Sequence, residues 1–415
     1  MTPKSFHRRF ESCDHSISAR RLVLWFALTT LAIAISVGMT ACGSSSASDD
    51  PAAVMSPLAQ LGEKIFHDES LSASGLMSCA TCHDPDHAFA SPNLNPVPLG
   101  GAGLNLPGLR NAPSLRYLAE TPAFFFDEEG TPTGGFNRDG RAKDFADQAS
   151  RPLLTSFEMA NASPADVVDK LSRTSYADEF RRFFGDNIFM DVDQAFLDAR
   201  EALQAYQLED PDFAPFTSKY DYFLAGRVKL TDQELRGLAL FNDPTKGNCA
   251  ACHPSGRRAD GRPPLFTDFT YDNLGVPRNV AIPANQDASY YDLGLCGPAR
   301  TDLQSRTDLC GAFKVPTLRN VAITAPYFHN GEFATLREAV SFYVRRDTNP
   351  EEWYPLSIGT GLPDKFNDLP PQYHANVNTT EVPYNRQPGD APALDSDEID
   401  AVVAFLQTLT DGYQP

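Results

Sequence analysis

Two five-residue segments restrict this chain more than anything else in it: Cys79-Ala80-Thr81-Cys82-His83 and Cys249-Ala250-Ala251-Cys252-His253. Cys-x-x-Cys-His is the attachment pattern of c-type haem. The two thiols add to the haem vinyl groups as thioethers, and the histidine that follows is placed to ligate the iron. A four-thiolate zinc site made from both pairs is the main alternative. Zinc pairs stand about 15–20 residues apart, whereas 167 positions separate Cys82 from Cys249. A redox dithiol would not need a histidine after both pairs. The sequence therefore predicts two covalently bound haem c groups, held by Cys79, Cys82, Cys249 and Cys252, with His83 and His253 as iron ligands.

The thioether chemistry fits an exported chain. Arg20-Arg21 precede an apolar run from Leu22 to Val37, the order of an export signal. The run ends at Met39-Thr40-Ala41-Cys42, which resembles a bacterial lipobox with Cys42 acylated after cleavage. A plain cleaved signal and a retained membrane helix are the alternatives. Residues 1–41 read as the signal and 42–58 as a flexible, serine-rich tether. Loss of residues 1–41 removes five basic and two acidic side chains, leaving 30 basic and 52 acidic and a net charge of −22. Such a surface excludes nucleic acid as a partner. It suits a basic partner, or serves solubility alone.

The remainder reads as two halves on one plan, 59–220 and 221–415. Each opens with a helical stretch carrying a glycine four residues before a phenylalanine, Gly62 and Phe66 in one, Gly237 and Phe241 in the other. Each then has a Cys-x-x-Cys-His, and each closes with an amphipathic helix, at 194–208 and 396–410. Small cytochromes c cross their first and last helices at a glycine. The expected fold is mainly α, two cytochrome c-like domains related by internal duplication, each with one haem. Long loops at 91–115 and 255–300 are punctuated by Pro, Gly and Asn. Methionines of the mature chain, Met55, Met77, Met159 and Met190, all lie in the first half. The second haem thus has no methionine ligand from its own half.

Further segments carry a resemblance to a known family. They are Leu71-Ser72-Ala73-Ser74-Gly75, Arg110-Asn111-Ala112-Pro113-Ser114, Asp139-Gly140-Arg141, Phe157-Glu158-Met159, Phe313 to Asn320, and Thr324 to Gly331. With the haem motifs, from about 59 to 410, they resemble the bacterial dihaem cytochrome c peroxidases and, within them, the MauG-like branch. The resemblance implies a peroxide-reacting first haem whose distal pocket holds Gln148, Pro152 and Glu158, with Glu158 moving a proton between the peroxide oxygens. It implies Tyr343 as the second haem's distal ligand, where ordinary members have methionine. It also implies a calcium ion between the haems, held by the side chain of Asn111, the carbonyls of Thr324 and Pro326, and waters. Leu99 stands about where an inhibitory loop histidine would be, so the first iron is expected to be five-coordinate or water-bound.

Two departures stand out. Many members have a relay tryptophan just before Asp-Gly-Arg, and here that residue is Arg138. Members that oxidise a docked protein have a surface tryptophan two residues before the second haem motif, and here it is Gly247. Cys296 and Cys310 remain, and in an exported protein they are expected to pair. The leading functional reading is a periplasmic peroxidase, membrane-anchored through lipid alone, reducing hydrogen peroxide to water with electrons from a small c-type cytochrome or cupredoxin. MauG-like oxidation of a protein or metabolite through a high-valent dihaem state is the alternative enzyme reading. A plain dihaem electron-transfer cytochrome is the non-enzyme one.

Overall fold

The structure is a computed structural model, and residues 54–415 are described. The signal at 1–41, Cys42 and most of the tether lie outside the described residues. Helix is the main regular structure of the described chain, with little strand and long irregular connections. In order come α1 (Pro57–His67), α2 (Cys79–Cys82), α3 (Phe145–Leu154), α4 (Pro164–Leu171), α5 (Ala177–Phe184) and α6 (Val192–Glu209). They are followed by α7 (Lys219–Leu224), α8 (Asp232–Asn242), α9 (Leu336–Arg345) and α10 (Ser396–Gln407). Among the described residues strand is limited to three antiparallel ribbons of two-residue strands. The tether ends earlier than expected, because Pro57 and Leu58 already belong to α1. The Ser56 hydroxyl accepts the Ala59 N–H and Pro57 takes the first helical position, a site where its missing N–H costs nothing.

Helix α1 packs across α6, and α8 packs across α10. Both crossings depend on the glycine noted in the sequence. A Cβ at Gly62 would overlap the carbonyl of Ala202, and one at Gly237 would overlap the carbonyl of Ala401. The phenylalanine one turn later seals each crossing. Phe66 meets Tyr206 edge-on at 5.4 Å between ring centres, and Phe241 meets Phe405 at 5.2 Å. Around these pairs lie two apolar cores, one drawing its buried residues from Leu61 to Phe213, the other from Tyr220 to Leu409.

The second crossing is fixed at its helix starts. Thr231 with Glu234 and Asp395 with Glu398 form reciprocal capping pairs on α8 and α10, satisfying N–H groups that have no partner within a helix. Fully buried Arg319 donates to both carboxylate oxygens of Asp221 on α7, at 2.8 and 3.0 Å. Asp411 accepts from Tyr117 and Asn320, so the chain's last turn touches residues from both sequence halves. In the long second-half connection, Cys296 and Cys310 form a disulfide.

Gly62→Ala and Gly237→Ala should each lower stability by about 1–3 kcal/mol, the usual cost of forcing an atom into a packed contact, measured by denaturant or thermal unfolding. Gly256→Ala, whose Cβ would meet nothing, should stay within about 0.5 kcal/mol of the wild type.

Candidate functional site

Each Cys-x-x-Cys-His sits on a short turn: α2 for the first, a 3-10 turn over Cys249–Ala251 for the second. None of the four cysteines is in a disulfide. His83 Nδ1 lies 3.0 Å from the Phe89 carbonyl, and His253 Nδ1 lies 2.7 Å from the Phe266 carbonyl. A carbonyl can only accept, so Nδ1 carries the proton and Nε2 is left with its lone pair. Burial lowers the pKa of both imidazoles, which favours that neutral, ligand-ready form.

The two carbonyls are presented by matching backbone. Phe89 and Phe266 both have φ in the left-handed region, 54° and 55°, a conformation that costs a non-glycine residue about 1–2 kcal/mol. A hydroxyl holds each turn: Ser114 donates to the Ala88 carbonyl at 2.5 Å, and Thr317 donates to the Leu265 carbonyl at 2.6 Å. Arg116 then lies over the Phe89 ring and Arg319 over the Phe266 ring, both 5.9 Å from the ring centre. Sequence reasoning singled out the segments around Pro113 and Pro316 separately and missed that they repeat each other. The signal was available as Pro113-Ser114-Leu115-Arg116 against Pro316-Thr317-Leu318-Arg319.

Gln148 and Pro152 lie on α3, and Glu158 lies on the turn after it. Pro152 has no N–H, so the Gln148 carbonyl loses its helical partner. The Met159 N–H instead donates to the Pro152 carbonyl at 3.0 Å, folding the turn back on the helix. Leu99 and Gly100 pair with Leu106 and Pro107 in a ribbon, and the Gly101 N–H holds the Glu158 carbonyl at 2.8 Å. Glu158 Oε2 is buried with no hydrogen-bond partner. Burial pushes its pKa up to about 7, against an opposing pull from Arg141, and its charge is felt at Cys79 and Cys82.

A large cavity borders the second motif, with Cys249, Cys252, His253 and Tyr343 in its wall. Tyr343 comes from α9, its ring stacked on Phe328 at 5.5 Å. Burial first, and then the Asp272 carboxylate, raise its pKa and hold the phenol neutral. Arg138 and Lys314 reach the same cavity. Among the described residues neither is ion-paired: Arg138 donates to the Asn111 side-chain oxygen at 2.8 Å and to its carbonyl at 3.2 Å, and Lys314 donates to the Gly135 carbonyl at 2.5 Å. Burial brings Arg138 down to about 10 and Lys314 to about 8. Buried charges require a counter-ion, so the wall suits a ligand that brings carboxylates. Haem, with two propionates, fits it.

The expected calcium set does not fit as well. Asn111, Thr324 and Pro326 do line one cavity, but the Asn111 side-chain oxygen is held by a guanidinium. The nearby carboxylates are also committed. Asp292 takes Arg110 at 2.5 and 2.7 Å, and Asp139 takes Arg110 at 2.8 Å and Arg141 at 2.8 and 2.9 Å. Two unit charges 4 Å apart repel by about 4 kcal/mol at an effective dielectric of 20. A divalent ion at Asn111 would add to an excess of positive charge.

The pattern of the di-haem cytochrome c peroxidase family matches residues 56–229. The methylamine utilization protein MauG of Paracoccus denitrificans is 38% identical over 86% of this chain and 90% of its own length. A cytochrome c551 peroxidase of Nitrosomonas europaea is 29% identical over 86% of this chain and 81% of its own. Among solved structures, the diheme peroxidase BthA of Burkholderia thailandensis superposes with a TM-score of 0.79 at 43% identity, covering 86% of this chain and 88% of that one. The chain belongs to the di-haem cytochrome c peroxidase family. It is accordingly an oxidoreductase with peroxide as acceptor, and its cofactors are two haem c groups.

Ser114→Ala and Thr317→Val should cost similar amounts, about 1–3 kcal/mol each, because each leaves without its donor one carbonyl of a turn that presents the next carbonyl to a histidine. Denaturant unfolding of the two variants checks this.

Proposed function

We propose that the chain reduces hydrogen peroxide to water at the site of Cys79, Cys82 and His83, fed by electrons entering through the site of Cys249, Cys252 and His253. The reaction consumes two electrons and two protons for each peroxide and gives two waters. Bound at these positions, the haems would supply the iron that meets peroxide and the store of electrons. The observation that carries the reading is Glu158, whose unpartnered carboxylate oxygen stands buried beside the first pair of thiols. With a pKa near 7 it can take a proton and return it at neutral pH. We assign Gln148 on α3 to the same pocket, and Pro152 shapes the end of that helix, from which the turn bearing Glu158 follows. The halves 59–220 and 221–415 act as duplicated cytochrome c-like domains, supported by the matching helix crossings and histidine turns.

Tyr343 gives weight to a second reading, oxidation of another protein or a metabolite. It lines the His253 cavity where an ordinary member would place methionine. Burial keeps the phenol protonated, and only a metal's charge would release the proton. An anionic oxygen ligand favours oxidised iron, so the second site would have a low potential. The electron donor is a small redox protein whose basic face suits the acidic surface. The protein works outside the cytoplasm, tethered through lipid on Cys42. Among the described residues no helix is long and apolar enough to cross a membrane.

Glu158→Gln should lower peroxide turnover by about 10²–10⁴-fold, the usual share of a general acid–base group, while pyridine haemochrome spectra still report two haems. Near-normal turnover would make Glu158 structural. Wild-type turnover should rise with pH through about 7, as Glu158 loses its proton, and Glu158→Gln should lack that limb. Because the folded pKa is the higher one, the stability that Glu158 contributes is fully present below its ordinary pKa of 4.5 and is lost as pH rises through about 7.

Peroxide added to the fully oxidised protein should change its spectrum at once, without prior reduction. Tyr343→Met should raise the potential of the second site in a redox titration. If the oxidised wild type stays inert until half-reduced, the tyrosine reading fails and a conventional peroxidase cycle replaces it.

A further inference from the structure

Between the two sites the chain carries a charge of its own where a metal ion was expected. Arg138 directly precedes the Asp139-Gly140-Arg141 turn, and its guanidinium spans both oxygens of Asn111. Lys314 donates its backbone N–H to the Arg138 carbonyl at 2.8 Å and fixes the turn from the other side. The Asn111 N–H donates to the His329 carbonyl at 2.8 Å, so Asn111 is tied into the cavity wall and its side-chain oxygen points at Arg138. Asp139 and Asp292 are taken by Arg110 and Arg141, and Asp368, which lines the same cavity, by Arg278. What remains for a divalent cation is a set of neutral carbonyls beside a guanidinium. Calcium sites usually gather carboxylates as well as carbonyls.

We propose that Arg138 is the built-in cation of this position: its guanidinium does the organising work of a divalent ion on Asn111, so the two sites are held together without calcium. The proposal rests on the reading of the cavity as a haem site, and the two can fail separately. Pyridine haemochrome analysis of the holoprotein counts haems. Fewer than two would sink that reading whatever Arg138 does.

The test uses the two-haem holoprotein, purified in calcium-free buffer and dialysed against EGTA. Metal analysis should find substoichiometric calcium. The absorption spectrum and both midpoint potentials should not move when EGTA or calcium chloride is added. Arg138→Leu frees the Asn111 oxygen. Calorimetric titration of this variant with calcium chloride should show at least a roughly tenfold gain in affinity over the wild type, and its spectrum should become sensitive to EGTA. Arg138→Lys keeps the charge and should stay insensitive to calcium, which makes a merely steric role of the arginine visible even if the leucine variant folds poorly. A wild type that retains one calcium per chain and changes its spectrum when stripped overturns the proposal. An Arg138→Leu holoprotein that neither gains calcium affinity nor becomes sensitive to EGTA overturns it as well.

Discussion

At Gly62 and Gly237 the main chain of one helix rests against a carbonyl of another, closer than any side chain would permit. These two approaches set the geometry of everything around them. They fix the angle at which α1 meets α6 and α8 meets α10, and so the place where Phe66 and Phe241 close the cores. The Cys-x-x-Cys-His turns begin 12 positions after α1 and 7 after α8 and inherit their positions. Dispersion between close-packed helices is lost steeply as a gap opens. The crossings are thus less tolerant than the long loops that hang from them.

Much of this was legible in the chain itself. Glycine one turn before phenylalanine, repeated, marks two helix crossings because no other residue lets backbones come so close. The cysteine–histidine motifs were legible because attachment chemistry demands adjacent residues. Glu158 was not legible by itself: a single carboxylate after a helix is ordinary, and only the resemblance singled it out. Its backbone is held by the Leu99–Pro107 ribbon through the Gly101 N–H, a contact between residues 57 positions apart.

Other features were hidden because they are matters of backbone or of distance along the chain. The carbonyls that orient His83 and His253 belong to phenylalanines in left-handed conformation, which side-chain identity does not announce. The bond of Arg110 to Asp292 joins residues 182 positions apart, so no local pattern foretells it. Arg138 was noticed in the sequence as a missing tryptophan. Its reach to Asn111 turned an absence into a positive interaction, and that interaction occupies the side-chain oxygen that the calcium set would use.

The positive cluster around Arg110, Arg138 and Lys314 lies inside a molecule whose overall charge is strongly negative. The two fields answer to different conditions. Dissolved ions screen charges at the surface within about 8–10 Å in ordinary buffers, but they do not reach a buried guanidinium. Raising the salt concentration would therefore slow the arrival of a charged partner protein while leaving the interior potential nearly as it was. Hydrogen peroxide carries no charge, so the acidic exterior neither draws it in nor repels it. The approach of a charged partner is thus sensitive to salt, whereas the approach of the uncharged peroxide is not.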